Sequence, residues 1–204
     1  MAAADSTTAH VIDLHCVNHS TFGEKAALPV KELTHPQRLE KRFQEHGLQT
    51  VVEGILIMHL HRHPHVLLLQ ESNSVFKLPG GRLRPGEDEM TGLKRKLTSK
   101  LSFRDSAGKE SAIDWNVGEH VASWWRPTFD SPLYPYIPPH VSSPKEVHKL
   151  YIVQLQPECT FAVPSNLKLL AVPLFDLYDN ASQYGHALSS LPEVLSRFTF
   201  NAIE

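Results

Sequence analysis

The sequence predicts an α/β fold in which helices lie on both faces of a mixed β-sheet, an α/β/α sandwich. Apolar runs of strand length indicate the sheet, at residues 50–60, 65–70, 148–155 and 167–172. Amphipathic patterns of helical period indicate the helices, at residues 35–47, 87–102 and 189–198. Because strands and helices alternate along the chain, the α/β class follows.

The composition is that of a soluble, intracellular protein with one main domain. Of the 204 residues, 41% are hydrophobic and 21% charged, and the net charge is −2. Such a chain has no global basic field, so any nucleic-acid site must be a local pocket. The two cysteines favour a reducing compartment, and we see no secretory signal or membrane span. We expect an N-terminal arm at residues 1–33 and one domain at residues 34–204.

The first helix and the strands after it have recognisable boundaries. Thr34 is a candidate N-cap, Pro36 stands near the first turn, and Gly47 is a natural C-cap. The run at 65–70 is continuously apolar, which predicts a strand buried on both faces.

Four of the thirteen histidines cluster between the first two predicted strands, at positions 59, 61, 63 and 65. On an uninterrupted strand all four would share one face. Pro64 interrupts the run, so a hairpin whose turn carries histidines is the favoured interpretation. A metal site is the alternative, but no carboxylate or cysteine in the run would complete it.

The second half of the chain contains a block that alternates aromatic residues and prolines, at residues 114–146. We expect this block to be irregular, because each proline removes a hydrogen-bond donor. Core packing, a protein–protein surface and RNA stacking remain open for its prominent residues, Trp124, Trp125, Arg126, Tyr134 and Tyr136. A polar loop is expected at 103–111. A closing amphipathic helix is expected at 189–198; it is a candidate dimer element, and packing on its own domain explains its apolar stripe equally well.

The segment FKLPGGRLRPGEDEMTGLKRKLTSKLS, residues 76–102, carries the most specific pattern. A glycine loop leads into a helix whose apolar stripe is predicted at Met90, Leu93, Leu97 and Leu101. The acids at 87–89 stand at the helix start, where capping and the helix dipole are favoured over metal ligation.

Gly81, Glu87 and Arg95 reproduce the spacing Gly-x5-Glu-x7-Arg, which resembles the opening of the Nudix box. In active Nudix hydrolases, glutamates just after that arginine hold a divalent metal against a pyrophosphate. Here those positions carry Lys96, Ser99 and Lys100. A lysine about 4 Å from a divalent cation would repel it by roughly 8 kcal/mol at an effective dielectric near 20. The resemblance therefore implies a Nudix fold that is not an enzyme and holds no metal or other cofactor.

A closer resemblance extends from about Val17 to Phe200. The segments VEGILIMH, PHVLLLQ, WWRP, YPYIPPH and SSLPEVLSRF are similar to the small Nudix subunits of pre-mRNA cleavage factor I, the cleavage and polyadenylation specificity factor subunit 5 family. The GGRLRPGE loop is similar to that of plant-type members. This resemblance implies a nuclear homodimer that binds single-stranded UGUA RNA, acts in pre-mRNA cleavage and polyadenylation, and influences poly(A) site choice. The implied partner is a larger subunit with an RNA-recognition domain; poly(A) polymerase and other 3′-end processing factors are further candidates, and no membrane is implied.

The resemblance also implies an RNA site, at His35, Glu53, Ser74, Val75, Phe76, Leu78, Tyr184 and Gly185. Glu53 is suited to accept hydrogen bonds from a base edge, and Tyr184 beside Gly185 to form a base pocket. Two positions depart from the family: Val75 replaces a stacking aromatic, and His35 replaces an arginine. A weaker or altered UGUA preference is therefore expected.

Two other functions stay open. One is a Nudix hydrolase with relocated metal ligands that acts on a nucleoside diphosphate derivative. The other is a sensor that binds a dinucleoside polyphosphate without cleaving it. Metal-dependent phosphate release would indicate the enzyme, and RNA affinity that survives EDTA would indicate the RNA-binding protein.

Overall fold

The structure, a computed structural model, describes residues 10–29, 33–72, 74–103 and 113–203. The helices are α1 (His35–His46), α2 (Glu89–Leu101), α3 (Leu174–Leu177), α4 (Ala181–Tyr184), α5 (His186–Ser189) and α6 (Leu191–Leu195). The strands are β1 (His10–His15), β2 (Thr21–Lys25), β3 (Gln49–Leu60), β4 (His63–Ser72), β5 (Val75–Lys77), β6 (Gly80–Arg82), β7 (Asn116–Arg126), β8 (Glu146–Gln154), β9 (Thr160–Pro164), β10 (Lys168–Pro173) and β11 (Phe198–Ile203). No helix among these described residues is long and apolar enough to cross a membrane.

The central sheet is mixed, as predicted, with the strand order β10–β4–β3–β8–β7. Strand β3 runs antiparallel to β4 and parallel to β8, and the short strands β5 and β6 pair with β4 and β3. The four strands predicted from apolar runs are all present, so this part of the prediction is confirmed.

Helices pack on both faces of the sheet, which confirms the α/β/α architecture. Alternate residues of β3 point to opposite faces. Ile55 and Ile57 belong to one core cluster, together with leucines of α3, α5 and α6. Val52 and Leu56 belong to the other, together with the apolar stripe of α2. We call these two sides of the sheet the Glu53 face and the α2 face, because Glu53 follows the period of Ile55 and Ile57.

The start of α1 and the histidine hairpin are confirmed. Thr34 and Gln37 form a capping box, and Gly47, with φ of 69°, ends the helix. The hairpin between β3 and β4 turns at His61 and Arg62, which both have positive φ. Of the other histidines in that cluster, those at 59 and 65 are buried and the one at 63 is exposed.

Two details of α2 differ from the prediction. The helix begins at Glu89 and not at residue 87, because Asp88 is the N-cap and its side chain accepts a hydrogen bond from the Thr91 N–H. Met90 is 38% exposed, so its assignment to the apolar stripe was wrong. It lies in the first turn of the helix, whereas the three leucines of the stripe are buried.

The prediction for residues 114–146 was wrong in its first part. Residues 116–126 form strand β7, eleven residues long, which pairs with β8 and contains two register shifts. The prolines of the block begin only at Pro127, and β8 supplies the hydrogen-bonding edge that keeps the preceding residues extended. Within the block, only residues 114–115 and 127–145 lack a helix or regular strand.

The predicted closing helix at 189–198 is present only in part, as the short helix α6, and it does not close the chain. Two short helices, α5 and α6, occupy this region, and the chain then continues into β11. Strand β11 pairs in parallel with β1, a partner from the opposite end of the sequence, so local periodicity gave no sign of it. Strand β9, which was not predicted, likewise pairs in parallel with β2. The segment predicted as an N-terminal arm thus contributes two strands, and the predicted polar loop, apart from Phe103, lies outside the described residues.

Candidate functional site

Two aromatic rings meet at one end of the Glu53 face. Strand β5 places Phe76, and α4 places Tyr184, with their ring centroids 4.9 Å apart and tilted by 56°. The Tyr184 hydroxyl donates a hydrogen bond of 2.7 Å to Asp176 on α3, which fixes the phenol. Burial and this bond raise the pKa of Tyr184 to about 12, so the hydroxyl keeps its proton. Both rings are partly exposed, an arrangement that can stack or wedge a flat ligand.

A chain of charged groups lies on the same face of the sheet. His148 on β8 contacts carboxylates with both ring nitrogens: Nδ1 lies 3.2 Å from Glu53 Oε2, and Nε2 lies 3.2 Å from Glu146 Oε2. Glu53 is on the neighbouring strand β3, and its side chain is 17% exposed. One end of this chain therefore reaches the surface, while the other is buried.

The buried end is Glu146, whose side chain is only 1% exposed. Arg82 on β6 donates from Nη2 to Oε1 at 3.2 Å, and Arg126 on β7 donates from Nε to Oε2 at 3.1 Å. His35, the first residue of α1, places Nε2 3.6 Å from the same carboxylate. A buried carboxylate requires such partners, because desolvation without compensation would cost several kcal/mol.

The pKa values of three groups in this chain are shifted: His148, Glu146 and His35. Burial disfavours the charged form of His148, but the carboxylates of Glu53 and Glu146 outweigh it and raise the pKa to about 9. Burial likewise opposes ionisation of Glu146, but His148, His35 and Arg126 outweigh it and lower its pKa. The pKa of His35 is lowered, mainly by burial, so this residue is neutral at pH 7.

These shifts predict how stability depends on pH. The contribution of His148 is fully present below its ordinary pKa of 6.5 and is lost as pH rises through about 9. The contribution of Glu146 is present above its ordinary pKa of 4.5 and is lost as pH falls through its lowered value. We expect urea denaturation to show that the stability difference between wild type and His148→Gln is largest at pH 6 and shrinks steadily towards pH 9. A difference that stays constant over this range would contradict the shifted pKa of His148.

The structure brings most of the predicted RNA-site residues to this face, in two groups. Phe76 and Tyr184 form one group, and Glu53 and His35 belong to the charged chain that forms the other. The two groups are joined by the backbone, because Gly80, four residues after Phe76, pairs with Glu53 across β6 and β3.

The remaining predicted residues differ in exposure. Ser74 lies in the turn before β5, Val75 is the first residue of β5, and both are exposed. Gly185 is also exposed and has a φ of 81°. Leu78 is only 3% exposed and packs in the core of the Glu53 face, so its side chain supports the loop from below.

Sequence reasoning missed the buried half of the charged chain, Glu146 and His148, together with Arg82 and Arg126. One signal was available: Glu146 and His148 are two residues apart at the start of an apolar strand and therefore share a face. Their pairing with Glu53 depends on the parallel register of β3 and β8, in which Val51 pairs with His148, and local sequence does not encode that register.

On the α2 side, the acids of the glycine loop are already engaged. Glu87 accepts two hydrogen bonds from Arg95, from Nε at 2.6 Å and from Nη2 at 2.5 Å, and another from the Arg84 N–H. These bonds lower the pKa of Glu87 to about 2. Asp88 caps α2, and Glu89 binds Lys149 and the Tyr151 hydroxyl. The described residues contain no cluster of three or more His, Cys, Asp or Glu side chains able to hold a metal.

A cavity of about 700 Å³ lies beside this loop and the C-terminal half of α1. Its lining includes Arg42, Arg84 and Lys96, and among the described residues none of these three forms an ion pair with a carboxylate. Burial and the charges of neighbouring arginines, Arg95 first, lower the pKa of Lys96. Five cationic side chains line the cavity together with three acids, Glu45, Glu87 and Glu89, so its lining carries a small formal excess of positive charge.

The prominent residues of the proline-containing block differ in their burial and contacts. Trp124 is buried in the core of the Glu53 face, and Arg126 binds Glu146. Tyr134 and Tyr136 have ring centroids 6.0 Å apart, and Tyr136 is 57% exposed. Tyr134 borders a surface groove of about 750 Å³, also lined by Tyr178, Glu193 and Val194. Core packing therefore accounts for the first tryptophan, and the tyrosines remain available to a partner.

Comparison with known proteins gives a consistent result. Residues 10–198 match the NUDIX_2 family model, described as a nucleotide hydrolase. The pre-mRNA cleavage factor Im 25 kDa subunit 2 of Arabidopsis thaliana is 51% identical over 198 residues, 95% of this chain and 96% of that protein. Subunit 1 of the same factor and organism is 48% identical over 95% of this chain and 87% of that protein. The cleavage and polyadenylation specificity factor subunit 5 of Dictyostelium discoideum is 51% identical over 80% of each chain.

Proposed function

Since this chain belongs to the Nudix family and, within it, to the group of the pre-mRNA cleavage factor Im 25 kDa subunits, we propose that it is an RNA-binding subunit of the 3′-end processing machinery. A role in pre-mRNA 3′-end processing follows from this membership. We also propose which RNA sequence it binds, that it does not catalyse nucleotide hydrolysis, and which proteins are its partners.

One observation carries the RNA-binding proposal: the aromatic pair of Phe76 and Tyr184 shares the Glu53 face with a carboxylate that reaches the surface. Proteins that read single-stranded RNA stack its bases on aromatic rings and form hydrogen bonds to the base edges. A carboxylate accepts hydrogen bonds from the N–H groups of guanine or uracil. With a net charge of −2, the chain suits a short local contact better than a long duplex.

We assign the RNA element to the UGUA class. We expect Val75, at the start of β5, to contribute less binding energy than the stacking aromatic residue that relatives have there. Val75 is 38% exposed and offers an apolar surface without a π-face. One stacking interaction, worth roughly 1–3 kcal/mol, is therefore absent. Relatives are expected to have an arginine at the position of His35. His35 carries less positive charge than an arginine would, because its pKa is lowered.

We further propose that the domain does not hydrolyse nucleotides. Each acid of the glycine loop has a cationic or backbone partner, and Lys96 lies against Gly81 at the position where a metal-binding glutamate would stand. A metal ion would have to displace the two hydrogen bonds between Glu87 and Arg95 and tolerate the charge of Lys96.

The test measures RNA binding and nucleotide hydrolysis on the same preparation. We expect a UGUA oligonucleotide to bind more tightly than a scrambled one, with equal affinity in magnesium and in EDTA. We expect no phosphate release from nucleoside diphosphate derivatives in magnesium. Equal affinity for both RNAs would refute the specificity, and magnesium-dependent release that Glu87→Gln abolishes would establish the enzyme instead.

The assembly is proposed as a nuclear homodimer that binds a larger subunit with an RNA-recognition domain, with poly(A) polymerase among its further contacts. Tyr134 and Tyr178 line the surface groove, and the exposed Tyr136 lies beside Tyr134. These tyrosines support a protein contact, because tyrosine is enriched among the residues that contribute most binding energy at interfaces.

The cavity beside the glycine loop supports a second candidate function, the binding of a nucleotide such as a dinucleoside polyphosphate without cleavage. Arg42, Arg84 and Lys96 would neutralise its phosphates without a metal. In the same titrations, this function requires ATP or diadenosine tetraphosphate to bind in EDTA and Lys96→Glu to weaken that binding. No binding of either nucleotide to wild type would eliminate it.

A further inference from the structure

His148 is the link between the surface carboxylate and the buried one. Its side chain is 14% exposed, and each ring nitrogen lies 3.2 Å from a different carboxylate. A neutral imidazole has one N–H and can donate to one carboxylate only, whereas an imidazolium donates from both nitrogens. Nδ1 forms a hydrogen bond to Glu53, whereas Nε2 lies at ion-pair distance from Glu146 Oε2 without the angle of a hydrogen bond. An imidazolium is attracted by both carboxylates, and a neutral ring with its proton on Nδ1 would turn the Nε2 lone pair towards the Glu146 carboxylate.

The titratable and charged groups around His148 come from four strands and from α1. Glu53 comes from β3 and Glu146 from β8 itself, while Arg82 from β6, Arg126 from β7 and His35 from α1 surround Glu146. Arg82, Arg126 and His35 all contact Glu146, and none of them contacts Glu53. Among the described residues, His148 is thus the ion-pair partner of Glu53, and the two arginines fix it indirectly by fixing Glu146.

A fixed carboxylate matters for base recognition. An unrestrained glutamate side chain rotates about three bonds, and ordering it on binding costs part of the interaction energy. With Oε2 held by the imidazolium, the orientation of the carboxylate is set before a ligand arrives, and Oε1 remains as an acceptor.

We propose that His148 is a positioning residue for RNA recognition, which bridges Glu146 and Glu53 as an imidazolium and holds the Glu53 carboxylate in place to accept a hydrogen bond from a base edge. This inference rests on the proposed RNA-binding function. It adds that base recognition depends on a buried ion pair that does not touch the RNA. The raised pKa of His148 is consistent with a bridge that stays protonated at neutral pH.

A double-mutant cycle tests the proposal. The full chain is used in the oligomeric state that it forms, with fluorescence anisotropy of a UGUA oligonucleotide as the readout. We expect His148→Gln to weaken binding roughly tenfold, because a charge-assisted contact that orients the acceptor is lost. In the Glu53→Gln background the same replacement should change affinity by less than about twofold, because His148 acts through Glu53. A purely structural role would lower affinity equally in both backgrounds.

The matched control is His148→Lys, which keeps a positive charge able to reach both carboxylates. We expect this variant to restore most of the affinity at pH 7. Between pH 7 and 10, wild type should lose affinity relative to the lysine variant, because the imidazolium deprotonates first. Guanine and uracil also lose protons in this range, but that effect is common to both proteins and cancels in their ratio.

The outcomes separate the two claims. A wild type that binds UGUA and scrambled RNA equally overturns the proposed function, and the positioning role with it. A wild type that prefers UGUA, together with an unaffected His148→Gln or equal losses in both backgrounds, overturns the positioning role alone. If His148→Gln does not fold, the ratio of wild type to His148→Lys across the pH range decides, and a constant ratio rejects the proposal.

Discussion

Replacing Glu146 with glutamine is expected to destabilise the protein by about 3–5 kcal/mol, the usual cost of breaking a buried ion pair by removing one partner. The substitution keeps the size of the side chain but leaves Arg82, Arg126 and His148 without their shared negative charge. Urea denaturation at pH 7 measures the loss as a lower midpoint with an unchanged slope.

Glu119→Gln is the matched control for this prediction. Glu119 also pairs with an arginine, Arg197, at 3.2 Å, but the two side chains are 40% and 52% exposed. An exposed pair of this kind contributes about 0–1 kcal/mol. If Glu146→Gln costs no more than Glu119→Gln, the charged chain around Glu146 does not stabilise the fold.

Replacing Phe76 with leucine is expected to weaken the binding of UGUA RNA by about 1–3 kcal/mol, or roughly 5- to 150-fold, because a base loses its stacking partner. Leucine keeps an apolar side chain against Tyr184 and the core of the Glu53 face, so the fold should be retained. Titration by fluorescence anisotropy measures the change, and circular dichroism verifies the fold.

Phe103→Leu is the control for the aromatic prediction. Phe103 is 40% exposed just after α2, and among the described residues it does not belong to the core cluster against which Phe76 and Tyr184 pack. Val75→Phe provides the converse test, because an aromatic ring at this exposed position should strengthen binding. Equal effects of Phe76→Leu and Phe103→Leu would place the RNA elsewhere on the protein.

The prediction from sequence succeeded where the signal was local. The apolar runs gave β3, β4, β8 and β10, and the cap residues Thr34 and Gly47 gave both ends of α1. It failed for β11 and β9, because their partners lie at the other end of the chain. It also failed for β7, where the aromatic residues were judged together with the prolines that follow them.

The candidate site divides in the same way. The resemblance to a known family indicated Glu53, Phe76 and Tyr184, and the structure places all three on one face. The resemblance indicated neither Glu146 nor His148, and the local pattern showed only that the two share a face. Their importance comes from contacts among four strands, β3, β6, β7 and β8.

The sequence by itself determined the α/β class from residue type and spacing, and its resemblance to the Nudix family was enough to indicate that family. The same resemblance led to the prediction that Lys96, Ser99 and Lys100 stand where active members have metal-binding glutamates. Only the tertiary structure decided what the remaining charges do. The parallel register of β3 and β8 sets His148 between Glu53 and Glu146, and the packing of β6 and β7 brings two arginines to the buried carboxylate. Electrostatic interactions act over distances in space, and Glu53 and His148, which are 95 positions apart, become neighbours only when the sheet forms.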